Sequence, residues 1–298
     1  HTQYRLVSGP TTGNRAPLTP PGGRLTLTTV TPVLVAEAAN QTTIYYTPYV
    51  HDFIPLWDGT NWTLTRFAEL SIAMAASANW AINSNYDLYV YSDAGTLRLV
   101  TGAAWTNDTT RAEALLRWNG IWLNSPAITG RYGPTSTVSI GASLATYVGT
   151  MRTTGSTGTT TWEIGGAAAG GDPGFLYIWN TYNRVPVIVS SRDNTASWTY
   201  ATNTWRAANA SNSNRISYIS GLNEDAFRAD NWGSIQREGV ANAQARVGVG
   251  FDVTSDGSLI DGFFGSTSTD VNYSTVPGYY SATMGLGLHF VQAVEISV

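Results

Sequence analysis

The chain has 298 residues, enough for one large or two ordinary domains with a substantial core. Only 12% of the residues are charged, the net charge is −4 and all 16 basic residues are Arg, which excludes lysine chemistry and the basic stripe that nucleic-acid binding needs. The absence of Cys excludes disulfides, thiolate nucleophiles and Cys metal sites, and no apolar run approaches the ~18 residues of a membrane-spanning helix.

The chain opens at His1 rather than Met, without a signal-peptide pattern, so the true N-terminus is expected to have been removed or to lie outside this sequence. Residues 11–23 read TTGNRAPLTPPGG, whose prolines and glycines predict an extended linker over 1–22. RLTLTTVTPVLVA (24–36) alternates apolar residues with Thr and reads as strand. IYYTPYVHDFIPLWDGTNW (44–62) carries five Tyr and Trp rings. Asp58-Gly59 is its predicted turn, Trp57 and Trp62 flank that turn, and Pro48 and Pro55 point to edge or bulged strands. In RFAELSIAM (66–74) period 2 fits better than a helix. YDLYVY and TLRLVT flank SDAG, a hairpin with Leu88, Val90, Leu97 and Leu99 on one inward face. NDTTRAEALLR (107–117) is the best helix candidate, with Asp108 as cap and Ala112, Leu115 and Leu116 as its stripe. WNGIW (118–122) centres on Asn-Gly, the strongest short hairpin signal, because a type I′ turn needs positive φ at both central residues.

A second block starts near 148. Its Thr/Gly stretch 153–161 reads as a mobile loop between strands, and FLYIWNTYN and RVPVIVSS (175–191) read as strands. SWTYATNTWRAAN (197–209) reads as a hairpin with Trp on both arms, and ISYISGL, ARVGVGFDV and GLHFVQAVEISV supply further strands. The expected fold is therefore all-β: two β-sandwich, jelly-roll-like domains, 23–147 and 148–298, after the 1–22 linker, with at most one or two short helices. A turn followed by Trp recurs in DGTNW, NGIW and ATNTW, which favours a structural use of these rings.

Catalytic motifs are missing: there is no G-x-S-x-G, no H-E-x-x-H and no complete G-x-G-x-x-G. His51 and Asp52 are neighbours and diverge if they lie in a strand, and His289 falls in a C-terminal strand. An N-terminal His1 could join a copper brace, but it leads a Pro/Gly-rich segment. Glu224, Asp225 and Asp230 form the densest acid cluster, with Arg228 among them, and an ion-paired loop is the simpler account than paired glycosidase carboxylates. Asp252, Asp256 and Asp261 lack EF-hand spacing and read as turn chemistry. The five N-x-S/T triplets, at Asn40, Asn61, Asn107, Asn209 and Asn272, are what chance gives in so Asn/Ser/Thr-rich a chain. No cofactor or metal is expected, and no enzyme activity.

The strings YYTPY, DGTNW and AWTNDTTRAEAL in the first block, with YVGTMRTT, IWNTYNRVPVIV and SWTYATNTWRAAN in the second, resemble a family of tailed-bacteriophage virion proteins described as tail-fibre, head-fibre or structural proteins. The resemblance spans about residues 22–255 and brings no catalytic residues with it. It implies a non-enzymatic component of the extracellular virion, a fibre, spike or capsid decoration. Such a component assembles with itself as a homotrimer and with other virion proteins, and it reaches host surface glycan without nucleic-acid binding or membrane insertion. Under this reading Tyr45, Tyr46, Tyr49, Trp57, Trp62, Trp118 and Trp122 are the candidate interface or glycan-stacking aromatics. A carbohydrate-binding adhesin or a polysaccharide depolymerase is the alternative.

Overall fold

A computed structural model of the chain describes residues 19–75, 77, 79–237, 244–265 and 272–297. Among these residues there are twenty-five strands and one helical element, a single 3-10 turn at Ala208–Ala210. The first ten strands are β1 (Gly23–Thr26), β2 (Ala38–Gln41), β3 (Thr43–Pro48), β4 (Phe53–Trp57), β5 (Trp62–Arg66), β6 (Leu70–Ala73), β7 (Asn85–Asp93), β8 (Thr96–Ala104), β9 (Leu115–Trp118) and β10 (Ile121–Asn124). Next come β11 (Ile128–Arg131), β12 (Thr137–Ile140), β13 (Ala145–Arg152), β14 (Thr160–Glu163), β15 (Ala167–Ala168), β16 (Gly174–Leu176), β17 (Ile178–Asn180), β18 (Arg192–Asp193) and β19 (Arg206–Ala207). The last six are β20 (Arg215–Ser220), β21 (Ala226–Arg237), β22 (Gln244–Phe251), β23 (Ser258–Gly265), β24 (Asn272–Thr283) and β25 (Gly287–Ser297).

Three sheets carry the fold. A small one runs β1-β3-β6. An eight-stranded sheet runs β12-β11-β8-β7-β13-β10-β9, with β17 also on β13. A ten-stranded sheet runs β2-β14-β16-β20-β25-β22-β23-β24-β21, with β19 on β25. The all-β class and its layered, sandwich-like sheets match the sequence expectation.

The middle of the eight-stranded sheet is buried on both faces. Leu88, Val90 and Leu99 join one core with Leu25, Ile44, Tyr46 and Trp80, and Leu97 packs against it, so the predicted inward face is correct. Tyr89, Val100 and Tyr147 point into a second core with Ile128, Ile140 and Ile219, as period 2 requires. β13 is buried at all eight positions. The expected division between residues 147 and 148 falls inside it, and the first core draws on both sides, from Leu25 and Ile72 to Met151 and Ile178.

The turn signals place the hairpins correctly. Asp93 pairs with Thr96 across Ala94-Gly95 (φ 48° and 92°), and Trp118 pairs with Ile121 across Asn119-Gly120 (φ 51° and 86°). Both turns have the two positive φ angles of type I′.

Four expectations are corrected. The predicted helix over 107–117 does not form. Its intended cap, Asp108, gives its carboxylate to Arg152 at 2.7 Å and its carbonyl to Asn85 Nδ2 and the Leu288 amide. Arg111 is drawn to buried Asp87, and Leu115–Trp118 becomes β9. Residues 184–191 (RVPVIVSS) form no strand, although their composition suits one. The 197–209 segment is no hairpin: Trp198 Nε1 donates to Glu295 (2.8 Å) and Trp205 covers Gly257, both distant in sequence. In 24–36 only the first residues are strand, ending at Thr26. Of the expected linker, residues 1–18 lie outside the described residues, while Pro21 and Gly22 are buried and the Gly22 carbonyl accepts the Tyr49 and Val50 amides.

Candidate interaction surfaces

Two hairpins bring three of the predicted aromatics together. In the β4–β5 turn Asp58 Oδ1 accepts the Thr60 and Asn61 amides, each at 2.7 Å, and these bonds hold the Asp58 carboxyl below its ordinary range. Gly59 takes φ +99°, which a side chain disfavours. The turn sets Trp57 opposite Trp62, and β9–β10 delivers Trp118. Ring centroids lie 4.5 Å apart for Trp57–Trp118, 5.7 Å for Trp57–Trp62 and 6.0 Å for Trp62–Trp118. Trp62 is only 8% exposed and sits on Ile121 and Leu123. These rings mainly satisfy one another, with the half-buried edges of Trp57 and Trp118 facing outward.

The other four candidates are dispersed. Tyr46 is a core residue, 1% exposed, stacked on Phe67 at 5.1 Å; its hydroxyl accepts the Gly23 amide, and burial pushes its pKa up. That burial removes Tyr46 and Trp62 from any role in stacking on an external ligand. Tyr45 is half-buried. Tyr49 is exposed, with the Arg24 guanidinium 5.5 Å from its ring. Trp122 is half-buried beneath Arg117 (5.5 Å), and its amide donates to the Tyr182 hydroxyl.

The titratable residues are engaged in local pairs. Asp52 binds Arg66 at 2.6 Å, whereas His51 Nδ1 accepts the Phe53 amide, so His51 and Asp52 have separate partners. His289 Nδ1 meets Asp252 Oδ2 at 2.7 Å and its ring stacks on Phe251 at 5.4 Å. Glu224 and Asp225 both bind Arg184, not Arg228 as their spacing suggested, and Asp225 also accepts the Trp179 indole N–H at 3.1 Å. Arg228 holds Asp230 through both Nε and Nη2. Among the described residues no group of three or more His, Asp or Glu could hold a metal ion. His1 and the Asp261 side chain lie outside the described residues.

One ionic network is deeply buried. Arg111 Nε meets Asp87 Oδ2 at 2.7 Å, and its Nη2 donates to the Tyr147 hydroxyl and the Gly221 carbonyl. Thr150 donates to Asp87 Oδ1 at 2.7 Å. Burial pushes the Asp87 carboxyl up against the opposing pull of Arg111. Burial alone would lower the Arg111 pKa, but Asp87 and Tyr147 outweigh it and hold the guanidinium charged. The network ties β7 and β13 to the turn after β20.

Sequence reasoning missed two further surfaces. A cleft of about 1170 Å³ is lined by the segment 185–191, by strands of the ten-stranded sheet and by Leu25 of β1 and Ile178 of β17; its wall is largely apolar, with Arg24 and Arg215 among the lining residues. Among the described residues β21 ends that sheet, paired with β24 over twelve residues. Trp232, 67% exposed, faces Pro277, and Tyr279 and Tyr273 are exposed on the same hairpin. The Arg228 guanidinium lies 5.1 Å from the Tyr279 ring. The alternation in RADNWGSIQ held the signal for an exposed Arg228, Asp230 and Trp232 face.

Comparison with protein-family models, with curated proteins and with solved structures finds no match to this chain.

Proposed function

We propose that this chain is a non-enzymatic structural protein of a tailed-phage virion. In this reading it is a fibre, spike or capsid-decoration component that acts by assembling with itself, as a homotrimer, and with other virion proteins. The observation that supports self-assembly is the open edge of the ten-stranded sheet. Among the described residues this twelve-residue edge strand has a row of backbone groups with no strand partner, and it carries an exposed Trp on a weakly charged surface. Proteins that stay single usually shorten, cover or charge such an edge; among the described side chains of β21 the charges are Arg228 and Asp230, which neutralise each other. Low surface charge also lowers the desolvation cost of burying it against a neighbour. The resemblance described above supplies the virion setting. Sedimentation of the purified chain tests assembly: a threefold mass supports the trimer, and a stable monomer at high protein concentration refutes it. Gold-labelled antibody against the chain tests location by binding, or failing to bind, intact particles.

A second reading has its own observation. Trp232 and Tyr279, beside the planar Arg228–Asp230 pair, combine ring faces with polar groups in the way that sugar rings are held. Host-glycan attachment through this face predicts that W232A loses binding on a glycan array while keeping its fold. A depolymerase would in addition release new reducing ends from host polysaccharide.

A further inference from the structure

We infer that Asn119, at the tip of the β9–β10 hairpin, is the chain's site of spontaneous deamidation: the Gly120 amide closes on the Asn119 side chain and converts the turn to aspartate and isoaspartate. Neither the assembly reading nor the glycan reading is needed for it.

Ring closure of this kind needs a following residue without a side chain and a backbone N–H that is free to lose its proton and turn. Asn-Gly occurs once in the sequence, at Asn119-Gly120. Both residues are exposed, in the two-residue turn between Trp118 and Ile121. A Cβ built on Gly120 would meet nothing within 4 Å, so that side of the turn is open. Among the described residues the Gly120 amide has no hydrogen-bond partner. β9 also lies last in its sheet, and a hairpin at a sheet margin frays at little cost. Asn-Ser is the next most permissive pair, and the fold holds the attacking amide at all three. After Asn83 the Ser84 amide donates to Thr153 Oγ1 (2.9 Å), after Asn124 the Ser125 amide donates to the Ala114 carbonyl (2.9 Å), and after Asn212 the Ser213 amide donates to Ser211 Oγ (3.2 Å). Asn124 is in addition fully buried, and its Nδ2 donates to the Pro126 and Gly141 carbonyls.

The Gly120 nitrogen gives up its proton and attacks Asn119 Cγ. The Cγ–Nδ2 bond breaks, ammonia leaves and a succinimide ring remains. Water then opens the ring at either carbonyl. One opening leaves aspartate at 119; the other carries the main chain through the side-chain carbonyl, as isoaspartate. The balance is one water taken up and one ammonia released, with no change of oxidation state. Either product adds a negative charge directly after Trp118. Isoaspartate also adds one backbone atom to a two-residue turn whose geometry sets the Trp118–Ile121 rung. Trp118 is the ring 4.5 Å from Trp57 and 6.0 Å from Trp62, so the change at the tip reaches the Trp cluster.

The test incubates the full chain in warm, mildly alkaline buffer and digests it with trypsin. Cleavage after Arg117 and Arg131 releases the peptide 118–131, which carries both Asn119 and Asn124. Fragment-ion mass spectrometry locates the mass gain of the NH2-to-OH exchange, and isoaspartyl methyltransferase measures the isoaspartate. Asn119 should gain it first, at a rate that rises with hydroxide concentration and is comparable with that of the free peptide 118–131. Asn83, Asn124 and Asn212 should stay unmodified over the same period. N119Q should melt with wild type and leave 118–131 unmodified. Unfolding in guanidinium releases the three Ser amides and should narrow their gap to Asn119. A native chain that stays intact over 118–131 while the free peptide deamidates shows a protected turn and overturns the inference. Modification that begins at another asparagine overturns it, as does a gain in 118–131 that N119Q leaves in place. A gap that unfolding leaves unchanged removes the fold from the choice of site and overturns it as well.

Discussion

Replacing Asp87 by Asn is the sharpest test of how this chain is held together. The side chain keeps its size, and Thr150 keeps an acceptor. What changes is the charge facing Arg111, whose side chain is 12% exposed and would be left with two neutral partners, the Tyr147 hydroxyl and the Gly221 carbonyl. Removing one member of a buried ion pair costs about 3–5 kcal/mol, and the retained hydrogen bonds favour the lower end. At roughly 2–4 °C per kcal/mol for a chain of this size, D87N should melt about 6–12 °C below wild type, read by circular dichroism at neutral pH. The apolar double replacement D87L/R111M removes both charges together and should recover most of that loss. A D87N variant within about 1 kcal/mol of wild type, or a double variant no better than D87N, would show that the network contributes little and that the reasoning is wrong.

Three further outcomes follow from other parts of the fold. Trp118→Ala removes the ring nearest Trp57 (4.5 Å), and its half-buried position sets the expected loss at about 2 kcal/mol, below the 3–5 of a fully buried Trp; an unchanged near-ultraviolet spectrum would contradict the cluster. Gly120→Ala meets no atom within 4 Å but must hold φ +86°, so it should cost about 1 kcal/mol through the backbone alone, with the β9–β10 hairpin still formed. Burial pushes the Asp193 carboxyl up, but hydrogen bonds from Thr195, Asn209 and Gly170 outweigh that and hold it well below the usual range. Its folded pKa lies under its unfolded one, so the stabilisation is present above about pH 4 and is lost as pH falls through the folded value. D193N should flatten that acid limb in pH-dependent melting; a limb with unchanged slope would refute the assignment.

The features legible in the sequence are those decided locally. Ala94-Gly95, Asn119-Gly120 and Asp58-Gly59 each fix a turn by their own backbone needs, and the alternation of Leu88 to Val90 and Leu97 to Leu99 fixes which face goes inward. The misreadings fall where a distant partner decides. Asp108 looked like a helix cap because nothing in 107–117 reveals Arg152, which is 44 residues away. Trp198 and Trp205 looked like the two arms of a hairpin because Glu295 and Gly257 are invisible at that range. Of the seven candidate aromatics, Trp57, Trp62 and Trp118 do converge, since each is placed by a turn that the sequence announces. Trp232 was overlooked although the alternation of RADNWGSIQ places it on one face with Arg228 and Asp230, because pattern alone does not say which of the two faces is left uncovered.

β13 also has a mechanical meaning. It is buried along its whole length and pairs with β7 at seven positions between Ala145 and Arg152, with β10 and β17 sharing its other side. Tension applied along that strand is shared by those rungs in shear. The chain between its two halves is thereby a tie-bar and not a hinge. A load passed from one half to the other is thus borne by the centre of the molecule.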